Sequence, residues 1–459
     1  MSTTAVQPKE NKMGTMPINK LLLNMSLPMM IAMLIQALYN IIDSMFVAQI
    51  SENALSAVSL AFPMQNFMIA VGTGTGVGVN ALLSKSLGAK RIKIANKTAN
   101  VSMFLVFMNW ILFILIGLFV AKPFLMGQTK VAEIVDYGNI YLRICCVASL
   151  GIYAEIALER LLQATGRTFY TMITQATGAI VNIILDPILI YGFDMGVRGA
   201  AVATVISQTI SAVWVLVFLT GKKTILKIKP QNMKLNKSIL LPTLALGISP
   251  FIMQSTESLV QLTFNAQIKR YGGTEVDMLI SAMSILLSCM QFFTLPIVGL
   301  TQGAQPIVSY NYGAKKIDRV KKAFRLLLTS AMIYTTTVWA LTLLFPQVFI
   351  QLFSSDPALM EFAPKFLRIF MAGMLLLGAQ FSCQQTFVSL GQAKVSMILA
   401  LLRKIILLIP LALILPVIFG FNGILFAEPV ADILASLSTA TVFFLMTRKL
   451  FSQKQGELE

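Results

Sequence analysis

The 459-residue chain contains no histidine. That absence removes Ser-His-Asp chemistry, histidine-ligated zinc or haem, and any imidazole pH switch. Charge is also scarce, at 12% of residues, where a soluble domain carries about 25%. Cysteine is limited to Cys145, Cys146, Cys289 and Cys383. They lie in apolar stretches with no CxxC or disulfide spacing and read as small hydrophobes. What is abundant is apolar: 56% of residues are hydrophobic and the mean hydropathy is +0.78. The charge that exists is lopsided, 36 Lys and Arg against 19 Asp and Glu, a net +17. In a soluble protein that balance would suggest nucleic acid. Residues 1–17 are polar and lead into a long apolar run without a small-residue cleavage signature, so no removable signal peptide is expected.

A helix needs about 20 mainly apolar residues to cross the hydrocarbon. Twelve stretches qualify: 21–49, 55–83, 98–121, 134–157, 167–192, 197–220, 241–268, 279–309, 322–346, 361–388, 393–416 and 420–446. With both termini inside, the inner segments hold 26 basic residues, among them Lys85 to Lys97, Lys222 to Lys237 and Lys315 to Arg325, and the outer segments hold 7. This positive-inside bias fixes an even number of spans and accounts for the charge without nucleic acid. The expected compartment is the plasma membrane, with both termini cytoplasmic.

The two halves resemble each other. Leu87-Gly88-Ala89-Lys90 recurs as Tyr312-Gly313-Ala314-Lys315, an offset of 225. Gly74, Gly78, Asn80, Ser84 and Gly166 meet Gly299, Gly303, Gln305, Ser309 and Gly391 at the same offset. Pro28 meets Pro250 and Asp43 meets Asn265 at 222, while Gly196, Gly199 and Ala203 meet Gly420, Gly423 and Ala427 at 224. Each half has six spans, so both insert in the same orientation, with a cleft between two bundles. The expected organisation is a tail 1–20, an N-lobe 21–220, a lysine-rich linker 221–240, a C-lobe 241–446 and a tail 447–459. Gly72, Gly74, Gly76 and Gly78 imitate a phosphate cradle, but no strand precedes them; small residues that let helices approach are the better account.

Carboxylates inside spans are costly and mark functional sites. Asp43 and Asp186 each lie about 9 Å from the outer end of their span, and Thr204 about 10 Å. Asn182 is one turn from Asp186 and shares its face. These oxygens form a cage for Na⁺, or two acids that hold one proton between them; a structural network pinning helices is the alternative. In the other half Glu257, Asp432 and Arg403 lie about 17–20 Å deep. Arg403 pairing with Asp432 or Glu257 would neutralise buried charge, with Lys404 a further partner. Glu428 and Asp432 are one turn apart. Structural pairing and contact with a cationic substrate both remain open for this group. Glu155, Glu159 and Arg160 read as an ion-pair cluster at the inner end of span 4. Gln36, Gln65, Gln254, Gln291, Gln380 and Gln384 are candidates to line a polar cleft.

Several of these stretches resemble one known family. Ser26-Leu27-Pro28, Tyr39-Asn40-Ile41-Ile42-Asp43, Ala54-Leu55-Ser56-Ala57-Val58 and Ser86-Leu87-Gly88-Ala89-Lys90 are similar to the multidrug and toxic compound extrusion (MATE) family. So are Asn182-Ile183-Ile184-Leu185-Asp186-Pro187 and Gly196-Val197-Arg198-Gly199-Ala200-Ala201 leading to Thr204. The resemblance implies an all-α integral membrane protein with twelve transmembrane helices in two pseudo-symmetric six-helix bundles around a V-shaped cleft. It further implies an exporter of organic cations driven by inward Na⁺ or H⁺. Asp43, Asn182, Asp186 and Thr204 match the N-lobe cation site of the DinF-like branch, and Pro28 the proline where span 1 can bend. Glu257 falls near the span-7 glutamate of the NorM-like branch. That branch's span-10 aspartate is missing; Gln380, Gln384 and Gln385 stand there. The methionine content and lysine linker suit a bacterial MepA-like member.

The function expected is therefore a cation-coupled antiporter exporting amphipathic organic cations, with a lipid-linked sugar flippase as the alternative. A flippase would need several arginines for a pyrophosphate, and only Arg403 and Lys404 lie deep. Glu257, Glu428, Asp432 and Arg403 are the C-lobe substrate candidates. No cofactor is expected beyond the coupling Na⁺ or H⁺, no enzyme activity, and no macromolecular partner for a monomer in the bilayer.

Overall fold

The computed structural model describes residues 11–221, 225–229, 233, 236–353 and 356–456. Lys9, much of the lysine-rich linker including Lys222, Lys223 and Lys234, and the last three residues of the C-terminal tail lie outside them. The described chain is helical, without strands. In order the helices are α1 (Lys12–Thr15), α2 (Ile18–Ala48), α3 (Glu52–Gly88), α4 (Ile92–Phe119), α5 (Ala121–Met126), α6 (Ala132–Val147), α7 (Leu150–Ala164), α8 (Thr168–Pro187) and α9 (Val197–Thr220). The second half comprises α10 (Lys237–Tyr271), α11 (Val276–Gly313), α12 (Ile317–Leu344), α13 (Pro346–Gln351), α14 (Pro357–Phe370), α15 (Met374–Leu390), α16 (Ala393–Leu401), α17 (Ile409–Phe419) and α18 (Phe421–Gly456). Among the described residues eleven helical stretches are long and apolar enough to span a bilayer. The pair α6–α7, bent by 48°, makes the twelfth.

Hydropathy located each span, but spans 4 and 11 contain breaks that composition does not announce. At the α6–α7 bend the released carbonyl of Val147 accepts the Trp110 indole N–H at 2.8 Å. This supplies the partner that a helix end otherwise lacks. The α7 segment also runs to Ala164, seven residues beyond the expected end of span 4. Span 11 is α16 and α17 joined by a π-helical stretch, Leu402–Leu408. Pro410 lies two residues past its end; its ring excludes the carbonyl four residues back, and a wider turn relieves that clash.

The repeat is carried into the backbone. Lys90 and Lys315 end the Gly-Ala-Lys segments with φ of 57° and 58°. Gly166 and Gly391 both have φ 85°, and Gly196 and Gly420 have 52° and 58°. Matched sequence positions thus adopt matched left-handed turns, which is strong evidence for two copies of one unit.

Each half has an apolar core of its own. One cluster, including Phe264, Phe370 and Leu425, is confined to the second half, and one, including Tyr141 and Leu142, to the first. A third joins residues of both, such as Leu83, Leu161, Ile307 and Tyr310. It lies toward the end rich in basic residues. There α2 packs on α11 and α3 on α10. Ser26 donates to the Leu300 carbonyl at 2.9 Å; farther from that end, midway along the helices, Gln254 Nε2 donates to Asn66 Oδ1 at 2.6 Å.

Glycines make this seam possible, Gly88 and Gly78 among them. A Cβ on Gly88 would overlap the carbonyl of Tyr310, and one on Gly78 the carbonyl of Thr243. Because both obstacles are backbone, Gly88→Ala is expected to cost about 1–3 kcal/mol. A melting curve in detergent should show the loss; an unchanged melting temperature would refute the close approach.

Candidate functional site

Asp43 stands 15 residues beyond Pro28 on α2, about 22 Å farther along the axis. Pro28 lacks an N–H, so the Asn24 carbonyl one turn back loses its helical donor. The Thr168 hydroxyl of α8 donates to that carbonyl at 3.4 Å. The α2–α8 packing thus supports the helix at its weakest point, and the same two helices carry the acids.

On α8, Asn182 Nδ2 donates to Asp186 Oδ1 at 3.3 Å. Asn182 and Asp186 are both 0% exposed. The Asp43 and Asp186 carboxyls lie within hydrogen-bonding reach of each other. The structure therefore brings together three of the four expected N-lobe residues. Thr204, on the adjoining α9, is 6% exposed. Its hydroxyl donates to the Ala200 carbonyl of its own helix at 3.0 Å, with no hydrogen bond to the other three. Asp43 Oδ1, Asn182 Oδ1 and Asp186 Oδ2 are buried and receive no donor. Three acceptors without donors in one apolar bundle suit a hard cation or a proton.

Tyr39 was not singled out by sequence, although it lies one turn before Asp43 on the same face of α2. It sits within electrostatic range of Asp43, Asp186, Cys145 and Glu155. The i,i+4 spacing was the available signal.

Glu155, Glu159 and Arg160 correct an expectation. All three are buried; Glu159 and Arg160 lie past the expected end of span 4, where α7 continues to Ala164. Arg160 Nη1 donates to Gln163 Oε1 and Gln302 Oε1, both at 3.0 Å, so it bridges the halves through amides. Glu159 accepts from Gln175 Nε2 at 3.0 and 3.1 Å.

In the second half the expected Arg403–Asp432 pair is present, Nε to Oδ1 at 2.8 Å, with Glu428 Oε1 3.9 Å from Nη2. Glu257 pairs instead with Lys404, at 2.9 Å. Glu428 Oε2 and Asp432 Oδ2 are buried without donors. Of the glutamines, Gln254 clamps Asn66 and Gln384 donates to Ser249 and Ser396. Both are engaged in helix packing.

A family profile described as MatE matches residues 28–188 and 250–414. The chain is 28% identical over 441 residues, 95% of both chains, to the multidrug export protein MepA of Staphylococcus aureus. It is 27% identical over 447 residues to MepA of Staphylococcus haemolyticus, covering 96% of this chain and 97% of that one. A MATE family transporter of the MOP superfamily in an outward-facing conformation superposes with a TM-score of 0.87, at 23% identity over 98% of this chain and 99% of that one. A MOP superfamily transporter from Pyrococcus furiosus, described as having a binding pocket of reverse polarity, also gives 0.87, at 22% identity over 97% and 99%.

Proposed function

Because this chain belongs to the MatE family, we propose that it is a multidrug exporter, a cation-coupled antiporter moving amphipathic organic cations out of the cytoplasm. The observation that carries the coupling is the trio of donorless buried oxygens on Asp43, Asn182 and Asp186. Unpaired acceptors are costly in an apolar bundle, and a visiting cation or proton would satisfy them. Thr204, with its donor committed to its own helix, would add a fourth oxygen. Either H⁺ or Na⁺ suits these ligands.

The mechanism is competition. Coupling cation arriving from outside neutralises Asp43 and Asp186 and lets α2 bend at Pro28. The bend reshapes the N-terminal half and releases substrate outward. Cationic substrates are held in the cleft by acids of the second half, with Glu257 the exposed one. The basic loops and both termini face the cytoplasm, in the plasma membrane, and a monomer carries every group named.

The flippase reading is disfavoured by the second-half pairs. Arg403 and Lys404 are both engaged by carboxylates, so neither is free to grip a pyrophosphate.

Inverted vesicles should take up a cationic dye under an imposed Na⁺ gradient at clamped pH, or under a pH gradient without Na⁺. Uptake that survives collapse of both gradients would overturn coupling. Absence of cation uptake together with transbilayer movement of a lipid-linked sugar would establish the alternative.

A further inference from the structure

The second half holds five clustered ionisable side chains that the coupling site does not use: four buried, Arg403, Lys404, Glu428 and Asp432, and one exposed, Glu257. Arg403 and Lys404 are consecutive, yet both are buried. In an α-helix consecutive side chains diverge by about 100°, which would tend to turn one toward lipid. The π-helical stretch Leu402–Leu408 changes that geometry and keeps both inside. At the repeat offset of 225, Gly178 and Ala179 stand in their place, so the charged pair belongs to this half alone.

The two cations are held differently. Arg403 is enclosed by Asp432 and Glu428, with its guanidinium 5.8 Å from the Phe381 ring centroid. Lys404 reaches Glu257, where Nζ lies 2.9 Å from Oε1. The Lys404 side chain is 4% exposed and the Glu257 side chain 53%. The ammonium thus approaches from the interior and meets a carboxylate whose other side is open. A second acceptor lies within its electrostatic range: Glu428, whose Oε2 is buried without a donor.

We propose that Lys404 is a tethered stand-in for the substrate, its ammonium occupying the cation position on Glu257 until an amphipathic organic cation displaces it toward Glu428. This inference rests on the reading of the protein as an organic-cation exporter. It names Lys404 as a residue that sets specificity. While the site is empty, no carboxylate is left without a counter-charge, which avoids the penalty of an unpaired charge in an apolar setting. A ligand gains only the difference between its own pairing with Glu257 and that of Lys404. Neutral amphipaths displace nothing and should not respond to Lys404.

Purified full-length protein is titrated with tetraphenylphosphonium, and with Nile red as the neutral control. Lys404→Met should bind the cation roughly tenfold tighter, equal to about 1.4 kcal/mol, with Nile red unchanged. Glu257→Gln should weaken cation binding, and adding Lys404→Met to it should bring no gain, since the competition needs the carboxylate. Lys404→Arg, which keeps a cation with a better carboxylate fork, should weaken binding and so tests the idea if the Met variant does not fold. An unchanged or weaker Lys404→Met protein, a gain that persists with Glu257→Gln, or an Arg variant binding as tightly as wild type overturns the proposal. If wild type binds the cation and these variants fail, the tether alone falls. If neither wild type nor any variant binds the cation, the exporter reading falls with it.

Discussion

Asp43→Asn is expected to yield a protein that folds, inserts and binds cationic dye but no longer exports it. Asparagine has nearly the size of aspartate, so the packing of α2 on α8 is preserved. Its amide would donate to Asp186, which lies within reach of Asp43 and has an Oδ2 without a donor. Two carboxyls facing each other in an apolar bundle repel when both ionise; removing one charge should hold or raise the melting temperature. Coupling is a different matter. A cation shifts a conformational equilibrium only by its differential affinity for the two states, and moving 1:99 to 99:1 needs a ratio of about 10⁴. With one charge gone, the coupling cation loses most of that leverage. Gradient-driven efflux should fall about a hundredfold or more, into the background of control vesicles. Dye efflux at the wild-type rate from the purified, reconstituted variant would remove Asp43 from the coupling site.

Arg403→Met should act on stability before function. The substitution leaves Asp432 and Glu428 buried, one turn apart on α18, with their principal counter-charge gone. Removing one member of a buried pair costs about 3–5 kcal/mol, enough to be read directly in a detergent melt or in loss of the monodisperse peak. The control is compensation. When the pair is replaced as a unit by Arg403→Met with Asp432→Leu, most of the loss should return, because well-packed apolar groups can replace a buried ion pair at little cost. A single variant whose melting curve superimposes on wild type would mean that water reaches these acids.

The span layout was legible because a bilayer imposes a length and a composition that can be read without knowing any contact. The repeat was legible for a similar reason: glycines required by a turn or a close approach recur at fixed offset. Three of the four residues expected to form the cation site could be placed together from helix pitch and depth alone. Thr204 could be placed at the right level, but which way its hydroxyl donates depends on rotamer. Arg160 and Glu159 were misjudged because hydropathy fades with charge, while α7 continues through the charged turn. The Lys404–Glu257 pair depends on the π-helical stretch in span 11, a local change of register that composition scarcely records. Sequence named Lys404 as an available partner; the choice between it and Arg403 needed the backbone.

The short helix α1 has a consequence for how hard the basic end is to open. Residues 11–16 strap the halves together: Asn11 donates to the Thr165 carbonyl, Asn311 to Met13, Lys316 to Gly14, and Arg319 to both Met13 and Met16. Each such bond has a net worth of about 0.5–1.5 kcal/mol, more when the donor is charged. One elementary charge moving through 100 mV supplies about 2.3 kcal/mol. The strap is therefore commensurate with the electrical work that one or two ions can deliver. On the coupling proposed above, a strap of this size holds the basic end shut against thermal opening yet yields to the work of one or two ions.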